Sequence, residues 1–136
     1  MGVTPLRKPK REPSETSIVS HARAALNQLP GVNFARNNVG GMHNASGQFV
    51  TFGLGAGSAD LIGSVTVHVC VPCAPRNPFR NVTIARAVAL EFKRPGKVNT
   101  PDQDAWAAQR RAIGWHVETV TSVEEAIAAV ERARAL

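Results

Sequence analysis

Apolar residues recur along this chain with two different periods, and the switches between them divide it into elements. Over residues 14–28 they follow helical spacing, with Ile18, Ala22, Ala25 or Leu26, and Leu29 on one face. Ser14 stands where an N-cap is needed, and Pro30–Gly31 stops the helix. Glu15 precedes Ile18 by three residues and therefore shares the apolar face. Residues 32–35 predict a short strand and residues 36–41 a polar, glycine-rich turn. Residues 48–52 predict a strand with Phe49, Val50 and Phe52 as its apolar members. Residues 61–71 are β-branched and strand-like, residues 72–81 read as a loop holding Pro72, Pro75 and Pro78, and a strand follows over about 84–93. Alternation in residues 89–93 sends Leu90 and Phe92 into the core, while Glu91 and Lys93 emerge together on the other face. Thr100 caps a helix with Pro101 at its first position, running to about Ile113. Gln103, Trp106, Ala107 and Ile113 form its inward face. Gly114 ends it, residues 115–120 alternate as a strand, and Thr121–Ser122 cap a last helix with Val123, Ile127 and Val130 as its stripe.

The resulting order is helix, two or three strands, helix, strand, helix. This is a single α/β domain over residues 14–136, preceded by a basic arm over residues 1–13 that has no apolar periodicity. The arm reads either as a contact to a phosphate backbone or as an ordinary disordered terminus. A chain of 136 residues can bury its own core without disulfides or metal staples.

Charge sharpens the picture through its distribution. The formal charge is +6 and the isoelectric point about 10.4, which favours a polyanionic partner. Between Thr16 and Pro101 the bases are Arg23, Arg36, Arg76, Arg80, Arg86, Lys93, Arg94 and Lys97, and the acids are Asp60 and Glu91 alone. No apolar run approaches the ~20 residues of a membrane span. No apolar segment follows the basic start as a secretory signal requires, so the expected location is intracellular. Cys70 and Cys73 invite a zinc reading, but His68 is the one further ligand nearby and a closed site needs four. Two incidental thiols is the preferred reading. Residues 53–57 resemble a dinucleotide fingerprint, but Ser58 replaces the last glycine and a strand follows instead of a helix. These glycines serve instead to bend the backbone ahead of Asp60.

The two isolated acids carry the chemistry. Asp60 at the start of one strand, with Glu91 and Lys93 two apart on the next, is the layout of a metal-dependent phosphodiesterase site. Carboxylate oxygens suit hard divalent cations such as Mg²⁺ or Mn²⁺. A cation so held acidifies water, and the lysine places positive charge where the reacting phosphate gains negative charge. The plainer reading of Glu-x-Lys is a surface ion pair on an edge strand. Glu15 reads equally as a member of the site or as a first-turn acid favoured by the helix dipole. Gln103 reads as an inward group or as the capping-box partner of Thr100.

Five stretches, taken together, resemble the virus-type replication-repair nuclease (VRR-NUC) branch of the PD-(D/E)XK nuclease superfamily. They are Ser14–Glu15, residues 36–40 (RNNVG), residues 57–63 (GSADLIG), residues 90–96 (LEFKRPG) and residues 100–114, which begin TPDQ. They follow the family's order over roughly residues 14–127. The resemblance implies a restriction-endonuclease-like fold, a mixed β-sheet flanked by helices. It implies metal ligation by Asp60 and Glu91, a catalytic Lys93, and support from Gln103 and from Glu15, the latter also as a metal ligand. Arg36, Asn37, Arg94 and Lys97 are then the expected DNA contacts. The implied activity is a Mg²⁺- or Mn²⁺-dependent DNA endonuclease, phage-encoded, acting as a homodimer on branched DNA such as four-way junctions. The alternatives are a nuclease that nicks duplex or flap DNA without junction preference, and a non-catalytic basic nucleic-acid-binding module. Two features depart from the family pattern: Ala59 stands where a proline is usual, and residues 72–81 form a long cysteine-bearing hairpin.

Overall fold

The computed structural model describes residues 12–72 and 79–135. Residues 1–11, most of the expected basic arm, and residues 73–78, Cys73 among them, lie outside the described residues. Among the described residues, three helices, α1 (Glu15–Leu26), α2 (Pro101–Ala112) and α3 (Val123–Arg134), accompany six strands. The strands are β1 (Val32–Arg36), β2 (Gly40–His43), β3 (Phe49–Phe52), β4 (Leu61–Pro72), β5 (Phe79–Phe92) and β6 (His116–Val120). The main sheet has the order β1-β4-β5-β6. Its β1–β4 and β4–β5 pairs are antiparallel, and β5–β6, joined through α2, is parallel. This is a mixed sheet flanked by helices, as expected.

The two faces of the sheet pack differently. Leu61, Val65, Val88, Leu90 and Phe92 meet Val19, Ala22 and Leu26 of α1 and Ala126, Ala129, Val130 and Ala133 of α3. On the opposite face Ala59, Ala89 and Val117 meet Trp106 and Ala107 of α2. Trp106 and Trp115 stack edge-to-face at 6.1 Å, with the Arg110 guanidinium over both rings. The alternation in β5 holds, but Glu91 does not emerge. With α2 over that face, Glu91 is only 6% exposed.

Several boundaries move. The β4–β5 ladder continues out to Pro72 opposite Phe79, so every described residue of the expected 72–81 loop is strand. The β-branched residues Val69, Val71, Val82 and Thr83 favour that extension. Ile113 is not on the inward face of α2. It leaves the spiral as the C-cap and is 67% exposed. Ala126, Ala129 and Ala133 of α3 are core against α1, while Ala128 is exposed. Residues 40–52 add no strand to the main sheet. They form a separate antiparallel β2–β3 ribbon whose Phe49, Val50 and Phe52 are exposed. Gly40 and Gly41 lie under the Phe52 and Phe49 rings, where a side chain would collide. Among the described residues, no helix is long and apolar enough to cross a membrane.

Candidate active site

Strand register brings the two acids together. Leu61 pairs with Leu90, so one step further the residue before Leu61 meets the residue after Leu90. The Phe92 amide donates to Asp60 Oδ2 at 2.8 Å, which fixes the aspartate at the mouth of β4. The segment leading to Asp60 is positioned from two sides. Gly53, Gly55 and Gly57 all take positive φ, 85°, 93° and 78°, as the tight bend requires. Gly57 also lies so close to the Asp102 carbonyl in the first turn of α2 that a Cβ has no room.

Asn37 provides the other anchor. Its amide nitrogen donates to Ser58 Oγ at 2.8 Å and to the Ala59 carbonyl at 2.9 Å, and its oxygen accepts from Leu54 N–H at 3.3 Å. Its backbone N–H donates to the Asp60 carbonyl at 2.8 Å. Both amide protons of Asn37 are thus taken up inside the protein. Asn37, an expected DNA contact, holds the segment that carries Asp60.

Glu91 is the centre of the cluster. Its Oε1 accepts from Lys93 Nζ at 2.9 Å and from Gln103 Nε2 at 2.5 Å. Gln103 fills both roles that the sequence left open. Its oxygen accepts the Thr100 N–H at 2.8 Å, closing the capping box of α2, while its nitrogen reaches Glu91. Lys93 is held by its own backbone N–H, donated to the Val120 carbonyl at 2.9 Å, and its side chain is 13% exposed.

The Glu91 carboxyl is pushed up from 4.5 to about 7. Burial is the largest cause. The hydrogen bond and charge of Lys93 oppose it, and the charges of Asp60 and then Glu15 add to it. Glu15 therefore lies near enough for Glu91 to feel its charge. It is half-buried, and Ser14, not Glu15, caps α1 by accepting from Ser17 N–H. Glu15 has no hydrogen bond or ion pair among the described residues. Nor, among those residues, do three His, Cys, Asp or Glu side chains group closely enough to hold a metal together. What the geometry offers a cation is the Asp60–Glu91 pair, with Glu15 as a more distant negative charge. That donor set fits Mg²⁺, which commonly takes one or two carboxylates and keeps several waters. A carboxylate pair with one member poorly ionised is also what a divalent charge relieves.

Arg94 and Lys97 follow the site directly, and Arg36 closes β1 beside Asn37. All three are exposed and make no ion pair among the described residues. Arg86, counted with the basic surface in the sequence, is used internally: it donates to the Ala133 and Ala135 carbonyls at the end of α3. Sequence reasoning missed the seat of Gly57 on α2, because its partner lies some forty-five residues away. It also missed a groove of about 660 Å³ beside the cluster, bounded by residues of α1, the 94–97 turn and the start of α3. None of Asp60, Glu91, Lys93 or Gln103 lines that groove. No family model, no curated protein and no solved structure matches this chain.

Proposed function

We propose that this protein is a metal-dependent DNA endonuclease hydrolysing phosphodiester bonds, with Asp60, Glu91 and Lys93 as its working residues. The reading rests on one observation above all. Lys93 and Gln103 converge on a single oxygen of a buried glutamate whose neighbour across the ladder is Asp60. A surface ion pair on an edge strand has no reason to be buried, and β5 is an interior strand between β4 and β6. Solvent-exposed pairs also contribute little to stability, so a buried, hydrogen-bonded cluster calls for another account.

Asp60 and Glu91 would hold Mg²⁺ or Mn²⁺, which when bound neutralises phosphate charge and acidifies water. Gln103 orients the Glu91 carboxylate through its amide. The Lys93 ammonium stands at that carboxylate and supplies positive charge where the reacting phosphate accumulates negative charge. Arg94, Lys97 and Arg36 draw the backbone of the substrate toward the site. Asn37 acts at one remove, by holding the Asp60 segment.

Branched DNA is the proposed substrate and a homodimer the proposed unit. One chain carries one such cluster among its described residues, while two strands related by two-fold symmetry need two. The exposed β2–β3 ribbon and Phe79 offer apolar surface for the pair. The test is cleavage of labelled four-way junction, flap and duplex DNA with and without Mg²⁺ or Mn²⁺, alongside sedimentation. Paired incision of the junction by a species of about twice 14.5 kDa supports the reading. Nicking of duplex or flaps by a monomer replaces it with the less selective nuclease. DNA binding with no cleavage under any metal leaves a non-catalytic binding module.

A further inference from the structure

The groove beside the cluster sets Arg94 and Lys97, which the nuclease reading uses, next to an apolar and acidic lining that it does not use. Its two strand-side walls grow from the ends of the parallel pair β5 and β6. Arg94 follows Lys93, and Thr121 follows Val120, whose carbonyl accepts the Lys93 amide. The third wall is α1, with Ile18 one turn beyond Glu15. The carboxyl ends of parallel strands are where α/β proteins take up ligands, and about 660 Å³ lies within the size range of small-molecule sites.

The lining has two parts. Ile18, Pro95 and Val123 present apolar surface, and Arg94 and Lys97 bring two cations that have no ion-pair partner among the described residues. A site for inorganic phosphate alone has no need of an apolar floor. An apolar site has no need of two cations on one turn. Glu12 and Glu124 also line the groove. Carboxylates repel a bare anion but accept hydrogen bonds from amino groups of the kind carried on nucleobase edges. The Glu125 carboxylate is bound to Thr121 N–H and hydroxyl, so the anion-attracting charge in this groove comes from the 94–97 turn and not from the start of α3.

We infer that this groove is a nucleotide subsite. A nucleobase lies against Ile18, Pro95 and Val123, and the attached phosphate is held by Arg94 and Lys97. That the nucleotide belongs to a DNA strand rests on the nuclease reading; the recognition chemistry does not. In a DNA complex the subsite receives the nucleotide neighbouring the one at Glu91 and Lys93. It thereby favours strands with an unpaired base beside the cleaved bond.

The test uses the full chain carrying Lys93→Ala, in EDTA, so that neither cleavage nor metal enters. Calorimetric titration with dAMP, deoxyadenosine, inorganic phosphate and a 5′-phosphorylated trinucleotide reads the subsite directly. We expect dAMP to bind ~10-fold more tightly than either phosphate or deoxyadenosine, since base and phosphate each contribute. Adding Arg94→Ala and Lys97→Ala should weaken dAMP ~10-fold, while Arg23→Ala, an exposed change outside the groove, should leave it unaltered. Phosphate binding as tightly as dAMP overturns the subsite, as does a double variant that binds dAMP normally. A trinucleotide binding no more tightly than dAMP overturns the assignment to a DNA strand. The nuclease reading is judged separately, by cleavage with the unmodified chain: a protein that cuts DNA but ignores dAMP loses only the subsite. One that binds dAMP but never cuts keeps the subsite and loses the nuclease.

Discussion

The two faces of the central sheet use the same strands for opposite purposes. Toward α1 and α3, β4 and β5 present Leu61, Val65, Val88, Leu90 and Phe92, all essentially inaccessible to solvent. Toward α2 the same strands present Ala89 and Glu91, with Ala59 and Asp60 just ahead of β4. Large side chains fill the first face and keep its helices at a distance. The alanines and the glycine of the second let the first turn of α2 come down onto the sheet, close enough for Gln103 to touch Glu91 and for Gly57 to sit on the Asp102 carbonyl. The difference teaches that the stability of the domain and its chemistry are carried on opposite sides of one strand. Substitutions one residue apart should therefore act on different observables.

The largest separation is expected for Lys93→Ala. Cleavage should fall below detection with Mg²⁺ present, while the melting temperature near pH 5, where Glu91 is protonated and needs no counter-charge, stays near that of the unaltered protein. Normal cleavage by this variant would break the comparison at its most important point. Its counterpart on the other face is Leu90→Ala. Denaturant unfolding should show a loss of ~2–5 kcal/mol for a fully buried leucine, with activity per folded molecule retained.

Glu91 sharpens the contrast through pH. Its carboxyl is ordinarily near 4.5 and is raised to about 7 in the fold, chiefly by burial. The stability that its protonated form contributes is thus fully present below about pH 4.5. It is lost as pH rises through about 7, a change of ~3 kcal/mol at most. Glu91→Gln should remove this dependence. In EDTA it should match the parent near pH 4 and exceed it in melting temperature at pH 8. Added Mg²⁺ should stabilise the parent at pH 8 and leave the variant unmoved. Identical pH profiles for the two proteins would show that Glu91 is not held as described.

The smallest predicted effect separates the two bonds of Gln103. Gln103→Ala loses both the cap and the Glu91 contact, costing ~1 kcal/mol of stability and ~10–100-fold in activity or metal affinity. Gln103→Glu keeps an oxygen for the Thr100 N–H but sets a carboxylate against Glu91. Stability should largely return at pH 5, where Glu91 is protonated, while activity should not. Recovery of full turnover by Gln103→Glu would reduce the residue to a helix cap.

How far the sequence could be read follows the range of the forces involved. The elements were legible because period, caps and stops are local: Ser14, Thr100–Pro101 and Ser122 all begin helices where expected. Alternation in β5 was legible for the same reason, and so was the bend ahead of Asp60, where three glycines take positive φ. What α2 does to the far face of β5 was not, because burial of Glu91 depends on a helix ten residues downstream folding back over it. Nor does alternation within residues 48–52 say whether a strand joins the main sheet or stands apart with Phe49 and Phe52 in solvent. Asn37 shows the same limit: its hold on Leu54, Ser58 and Ala59 joins residues seventeen or more positions apart, which no local pattern reveals.

The Phe92 amide hydrogen, bonded to the Asp60 carboxylate, ties the breathing of two distant parts of the chain into one event. A β5 proton deep in the sheet should exchange with solvent slowly and by global unfolding. This one can exchange whenever the Asp60 segment lifts off, and that segment is fastened by Asn37 on one side and by Gly57 against α2 on the other. Its exchange rate is therefore a clock for the readiness of the aspartate. The clock should run faster when Asn37 is replaced by Ala, while the neighbouring Leu90 amide keeps time with the core.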